Sequence, residues 1–284
     1  MKQNKSNELK IWRVMQITIT LTIALAFIVT SAGSARADSN KPSIVLVHGA
    51  WADASNWSGV TARLQADGYT VHAVPNTLRG LSADVAYVAS ILNTITGPIV
   101  LVGHSYGGAV ITNAATGNPN VKALVYVDAF VPDEGESLLQ LASTPPPPGQ
   151  PASCLGGDPT TVFNFVPYPG AQNGDVDLYI KPELFPSCFA NDLSVRQAAV
   201  LAASQRPITF SALLEPSGTP AWKTIPSWYL IGTLDKVIPP YAQLFMAQRA
   251  NAHIIQVKAS HPAMISHPSA AVDLIEKAAR ETDN

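Results

Sequence analysis

Three residues, in a particular chain order, carry the chemistry this sequence can perform. Ser105 stands in Gly103-His104-Ser105-Tyr106-Gly107-Gly108, and Asp235 and His261 follow later in the chain. A serine hydroxyl is a poor nucleophile until a base takes its proton, and the base needs an acid to hold its tautomer. Serine, then acid, then histidine is one chain order in which such groups meet at the ends of sheet strands. The corresponding chemistry is acyl transfer onto the serine oxygen. That reaction also needs two N–H groups to receive a developing negative oxygen. Tyr106, directly after the serine, supplies one, and Ala50, in the loop after the first strand, is the candidate for the other. Trp51 is a candidate wall of the substrate pocket, with a plain packing role as the alternative.

These groups have to be positioned. Ile99-Val100-Leu101-Val102 is an uninterrupted apolar run, expected as a buried parallel strand, and Ala109-Val110-Ile111 opens a helical pattern. Between them the chain must turn sharply, with Ser105 strained at the tip and no Cβ at Gly103 or Gly107 to keep strand and helix apart. The helix N-terminus behind Ser105 offers free N–H groups. Asp235 follows the strand ending at Ile231, and His261 the strand ending at Val257. Open parallel sheets gather their reacting groups at such carboxyl ends. His267 repeats the Ser-His-Pro context of His261 but sits further from its strand, at the start of the last helix. Asp128 also ends a strand and is the alternative acid; it could instead cap the segment that follows. His104, within the turn, cannot easily reach back to Ser105 and is expected to bond structurally. His48, His72 and His253 lie on or beside strands and read as ordinary hydrogen-bonded histidines.

Strand–helix alternation extends along most of the chain. Strands are expected at Ser43–Val47, Tyr69–Val74, Val121–Val127, Trp228–Ile231 and His253–Val257, with helices over Trp57–Ala66, Leu81–Leu92, Pro239–Arg249 and Ala270–Arg280. Such alternation implies an α/β protein whose parallel sheet is covered on both faces. Residues 38–131 and 221–284 form this core. From Pro132 to Pro220 the pattern breaks, around the run Pro145 to Pro148, and only Asp192 to Ala203 looks helical. This segment reads as a lid-like insertion, rich in Leu138, Leu139, Phe163, Phe165, Phe185 and Phe189. Its three basic residues (Lys181, Arg196, Arg206) face nine acidic ones, so neutral, apolar substrates fit better than anions. Asp175, Asp177 and Asp192, within it, are expected to be solvated.

The first residues are of another kind. Lys2, Lys5, Lys10 and Arg13 precede the apolar run Ile17 to Val29, and Ala35-Arg36-Ala37 fits a signal-peptide cleavage site. Residues 1–37 are therefore expected to be a cleaved export signal, with a retained anchor as the alternative. Their removal leaves 13 basic and 19 acidic groups of the original 18 and 20. No basic patch remains for nucleic acid, and no membrane association is expected after cleavage. The protein is expected to be secreted or periplasmic; the sequence leaves its oligomeric state open. Cys154 and Cys188, the only cysteines, are expected to pair in that oxidising compartment. They are too few, and too far from any histidine pair, for a metal site.

The blocks Val45-Leu46-Val47-His48-Gly49-Ala50-Trp51, Gly103 to Gly108, Asp128-Ala129-Phe130-Val131-Pro132, Gly232-Thr233-Leu234-Asp235-Lys236 and His261-Pro262-Ala263-Met264 together resemble the α/β-hydrolase superfamily. They are most similar to the branch of plant methyl-ester esterases, hydroxynitrile lyases and related bacterial carboxylesterases. The resemblance implies an α/β-hydrolase fold with a cap and a cofactor-free serine esterase acting on small-molecule esters. The lyases of this branch carry Thr where this chain has Gly49 and Lys where it has Pro262, so cyanohydrin cleavage is not expected. Ser105 also separates the chain from dehalogenases and epoxide hydrolases, which carry Asp there. Cofactor-free haloperoxidases or perhydrolases share the three residues, and a ligand-binding receptor on the same fold is the non-enzymatic alternative.

Overall fold

The computed structural model describes residues 41–282, so the export signal expected over residues 1–37 lies outside the described residues. Strands β1 (Ser43–Val47), β2 (Val71–Val74), β3 (Ile99–His104) and β4 (Val121–Val127) are joined through helices α1 (Ser58–Ala66), α2 (Leu81–Leu92) and α3 (Tyr106–Ala114). The chain continues through α4 (Leu138–Ala142), α5 (Pro159–Val162), β5 (Phe163–Pro167), β6 (Val176–Ile180), α6 (Phe185–Cys188), α7 (Val195–Ser204), β7 (Ile208–Thr209) and α8 (Phe210–Leu214). It closes with β8 (Ser227–Gly232), α9 (Pro240–Arg249), β9 (His253–Val257), α10 (Ala263–Ser266) and α11 (Pro268–Glu281). Six strands form one sheet in the order β2-β1-β3-β4-β8-β9, and every neighbouring pair is parallel.

Successive side chains on a strand point to opposite faces, and here both faces are covered. Ile44 and Leu46 of β1 join Val100 and Val102 of β3 in a core with Val60 and Leu64 of α1 and Leu274 and Ile275 of α11. Val45, Val47 and Leu101 point the other way, into a core with Val88 and Leu92 of α2, Val110 of α3 and Met246 of α9. That is why β1 and β3 read as continuous apolar runs rather than alternating ones. The expected strand over Tyr69–Val74 is shorter, starting at Val71.

Between β4 and β8 lies a three-stranded antiparallel sheet, β5-β6-β7, that the sequence reading did not anticipate. Only the first of five β5 residues is buried and β7 has two residues, so neither leaves an apolar alternation to read. Acidic residues of the insertion correct the expectation of solvated carboxylates. Asp177 is buried in an ion pair with Arg79, Asp175 accepts from the N–H and hydroxyl of Ser211, and Asp192 accepts from the Ser260 hydroxyl. Cys154 and Cys188 form a disulfide, with Cα atoms 5.7 Å apart. Among the described residues no helix is long and apolar enough to cross a membrane.

Candidate active site

The turn from β3 into α3 is as tight as its residues require. Ser105 has φ 54° and ψ −123°, a strained conformation for a residue with a side chain. Neighbours hold it there: its N–H donates to the Val127 carbonyl (3.3 Å), and its own carbonyl accepts from Gly108 (2.9 Å) and Phe130 (3.1 Å). A Cβ on Gly107 would lie 2.5 Å from the Val47 carbonyl oxygen, so only glycine lets α3 sit this close to β1. Asp128, at the end of β4, and Trp51, after β1, also have positive φ (45° and 56°). Backbone strain therefore collects at three strand ends around one place.

Ser105, His261 and Asp235 meet there. The Ser105 hydroxyl donates to His261 Nε2 (2.8 Å), and His261 Nδ1–H donates to Asp235 Oδ2 (2.8 Å). All three are buried, His261 completely. Asp235 Oδ1 accepts from the N–H groups of Val237 (2.7 Å) and Ile238 (3.0 Å), and Oδ2 also accepts from the Gln243 amide (2.8 Å). Burial works against either charge: it pushes the His261 imidazole below its usual value of 6.5 and raises the Asp235 carboxyl. The donors on Asp235 act in the opposite sense and favour its ionised form. An imidazole kept neutral, with Nδ1–H directed at the carboxylate, presents a free lone pair to the serine proton.

The expected oxyanion donors flank the serine. Ala50, Tyr106 and Ser105 line one compartment of about 90 Å³, together with Trp51, Leu138, Leu139 and Phe163. A Cβ on Gly49 would fall 2.6 Å from the Ser105 Cβ, so the loop carrying Ala50 passes directly against the nucleophile. Tyr106 opens α3, where an N–H has no intrahelical acceptor. Its phenol points away and donates to Asp84 (2.8 Å), which also accepts from Thr77 and Leu78. Trp51 both lines the compartment and packs. It stacks on Phe163 (centroids 5.7 Å apart), and its indole N–H donates to the Leu178 carbonyl (2.8 Å). Of the six apolar residues singled out in the insertion, Leu138, Leu139 and Phe163 line the compartment. Phe165 is largely exposed, Phe185 is in the core, and the Phe189 ring packs edge-on against His261 (4.9 Å).

The alternatives fall elsewhere. His267 precedes α11 and pairs with the Ser266 hydroxyl (2.9 Å). His104 Nε2–H donates to the His261 carbonyl (3.0 Å), as expected of a structural histidine, and burial pushes its pKa well below the ordinary value. His48 bridges the Gly49 carbonyl and the Asn76 N–H. His253 stacks on Trp228, and His72 is exposed. Asp128 does not cap the segment after β4. It crosses under the site, accepting from the N–H groups of Gly232 (2.6 Å) and Ala263 (3.2 Å), so it ties the ends of β4 and β8 to the loop of His261. The sequence reading missed that role, as it missed Gln243. A glutamine on the buried side of an apolar helix was the available signal for the latter. Among the described residues no group of three or more His, Cys, Asp or Glu could hold a metal ion.

With this geometry in hand, the chain can be set beside known proteins. The profile of the alpha/beta hydrolase family matches residues 44–274. A carbendazim hydrolyzing esterase of Nocardioides sp. (strain SG-4G) is 36% identical over 126 residues, 40% of this chain and 52% of that protein. Methylesterase 8 of Arabidopsis thaliana is 30% identical over 177 residues, 54% of this chain and 64% of that protein. The chain thus spans about half to two thirds of the length of these relatives. In fold it resembles the crystal structure of polyneuridine aldehyde esterase, with a TM-score of 0.70 over 84% of this chain and 98% of that one, at 20% identity.

Proposed function

The chain belongs to the alpha/beta hydrolase family, and from that premise we propose that it is a serine carboxylic-ester hydrolase working through an acyl-enzyme. The observation that carries this reading is the hydrogen-bonded line Ser105–His261–Asp235, at 2.8 Å and 2.8 Å, on a strained turn. Ser105 Oγ attacks the ester carbonyl carbon while its proton passes to His261 Nε2. Asp235 holds the ring in the required tautomer and stabilises the imidazolium. The carbonyl electrons move to oxygen, which the N–H groups of Ala50 and Tyr106 receive. The tetrahedral centre collapses, the carbon–oxygen bond to the alcohol breaks, and His261 returns the proton to the departing oxygen. A water then gives a proton to His261, attacks the acyl group, and releases the acid as the proton goes back to Ser105. Protons and electron pairs balance among substrate, water and these side chains, so no cofactor enters.

The relatives named esterases support a carboxylic ester as substrate. Trp51, Leu138, Leu139 and Phe163 favour uncharged, apolar groups, because a charge enclosed there would lose hydration without a partner. We read the protein as exported, which suits both the N-terminal pattern over 1–37 and a disulfide kept oxidised. Ser105→Ala tests the reading. It should lower kcat on p-nitrophenyl acetate by roughly 10⁴–10⁶, and a serine-directed phosphonate should label Ser105 alone in the unmodified protein. Near-native turnover in the variant would overturn the assignment.

A further inference from the structure

Next to the compartment around Ser105 lies a second, larger one, of about 240 Å³ against about 90 Å³. Pro145 and Pro147 of the proline run form one side, and Tyr241, Ala242 and Phe245 of α9 the other. None of its lining residues carries a charge. Phe245, one of its lining residues, is 58% exposed, with the Arg249 guanidinium over its ring (5.2 Å).

Four residues, Phe130, Ala142, Ser153 and Val237, line both compartments. Two of them, Phe130 and Val237, are tied through their backbones to Ser105 and Asp235. The Phe130 N–H donates to the carbonyl of Ser105 (3.1 Å), and the Val237 N–H donates to Asp235 (2.7 Å). The Val237 carbonyl accepts from the Ser153 hydroxyl (2.7 Å). The boundary between the compartments is therefore anchored to the nucleophile on one side and to the acid on the other, and a group crossing it stays in register with the serine.

We propose that the second cavity is a subsite for one bulky, uncharged, apolar group of the ester. The substrate is then a two-part ester, its smaller group beside Trp51 and its larger group beyond Phe130 and Val237. The inference rests on the ester-hydrolase reading and adds the substrate class to it. A charged group would find no counter-charge in the cavity, whereas each buried methylene gains favourable transfer from water.

Two substrate series test it: p-nitrophenyl esters from acetate to decanoate, below their micelle concentrations, and alkyl acetates from methyl to decyl. In one series kcat/KM should rise with chain length, and that series identifies the larger group as acyl or alcohol. Ala242→Phe, which fills the cavity from α9, should lower the long-to-short ratio of kcat/KM in that series by about tenfold or more. Phe245→Ser, which removes the apolar ring from the wall without adding a charge beside Arg249, should lower the same ratio. A flat wild-type series, or a ratio unmoved by both variants, with acetate still turned over, would overturn the subsite and leave the esterase standing. Wild-type protein that turned over no ester in either series would instead overturn the function on which the subsite depends.

Discussion

Ser105 and Phe163 border the same compartment, but the chain holds them by different means. Ser105 directly follows a strand whose six residues are all buried, and backbone hydrogen bonds to β4 and Phe130 fix its conformation. Phe163 begins a strand whose other four residues are not buried, and it is placed by stacking on Trp51. The same contrast runs through the two regions. The six-stranded half carries its reacting groups on strand ends, where main-chain geometry leaves little freedom. The segment from 132 to 220 is attached to that half by scattered contacts, a few through the main chain (Trp51 N–H to the Arg206 carbonyl, 2.9 Å; Thr209 N–H to the Leu78 carbonyl, 3.0 Å) and others through side chains. Examples of the latter are the Arg79–Asp177 pair and the Trp51 indole on the Leu178 carbonyl, while the Cys154–Cys188 bridge closes a loop within the segment. Backbone constraint tolerates few substitutions, whereas side-chain contacts can be exchanged at modest cost. The walls of the two compartments come from both regions, so substitutions in the segment from 132 to 220 should change part of those walls while leaving the strand ends in place.

The largest effect should come from breaking the first region at its base. His261→Ala removes the ring nitrogen to which the Ser105 hydroxyl donates and should lower kcat on a small activated ester by roughly 10⁴–10⁶, as the serine variant does. His267→Ala removes a partner of Ser266 ahead of α11. It should change kcat by about twofold at most, the scale of substitutions away from such machinery. Steady-state kinetics of the pair would move the base to His267 if their order were reversed.

Asp235 and Asp128 divide one strand-end chemistry into two roles. Asp235→Asn puts the wrong tautomer on His261 and should cost roughly 10³–10⁴ in kcat. Asp128→Asn cannot accept on both sides, so it loses one of the bonds from Gly232 or Ala263 and should act through stability. Leaving a buried N–H unpaired costs about 1–3 kcal/mol, which thermal unfolding would register as a lowered Tm, with a far smaller loss of kcat than in Asp235→Asn. Equal kinetic losses would mean that Asp128 also acts on the imidazole.

How much of this was readable in advance follows the same division. Ser105 and Asp235 could be singled out because each follows a buried strand, and burial on two faces writes a continuous apolar run into the sequence. His261 follows the edge strand β9, none of whose five residues is buried, and was placed by the β-branched Ile254, Ile255 and Val257. The placement of Ala50 beside Ser105 was legible from its position in the loop after β1. The partners of Asp128 were not, because they are backbone N–H groups 104 and 135 residues away, where side-chain identity carries no signal. The sheet β5-β6-β7 was hidden for another reason. Its strands are short and β5 is mostly unburied, so periodicity had nothing to record. Asp177 misled for a related reason: a lone carboxylate reads as solvated until Arg79, 98 residues earlier, is brought against it.

The pH profile tests the buried line from a second direction. His261 must be neutral to accept the serine proton, and burial lowers its pKa. A base with a lowered pKa stays deprotonated further into acid, so the acid limb of kcat/KM should lie below the 6.5 of an ordinary histidine. Beyond it the rate should fall about tenfold per pH unit, in proportion to the neutral fraction. An acid limb above 6.5 would mean that the Asp235 charge, rather than burial, dominates the imidazole.

The smallest effect sharpens the comparison most, because the disulfide lies where the two regions meet. The Cys154 N–H donates to the Lys236 carbonyl (2.8 Å), on one side of the Asp235 loop. Near Cys188, the Ser187 carbonyl accepts from the Lys236 ammonium (3.2 Å), and the Asn191 amide donates to the Leu234 carbonyl (3.3 Å). The bridge therefore ties together two segments that hold the acid loop, besides closing a long loop of the insertion. On a chain-entropy estimate that closure contributes about 3–4 kcal/mol at most. A Cys154→Ser/Cys188→Ser variant should show a lowered Tm. Its kcat on p-nitrophenyl acetate should drop only about threefold, because Asp235 keeps its bonds from Val237, Ile238 and Gln243, and a small misplacement of the acid is what remains to be felt. KM for a long-chain ester should rise further, since Ser153 and Leu155 wall the compartments beside Cys154. Loss confined to the long ester would show that the acid loop stands without the bridge. A hundredfold loss on the acetate would show that the insertion, and not the sheet alone, holds the reacting groups in place.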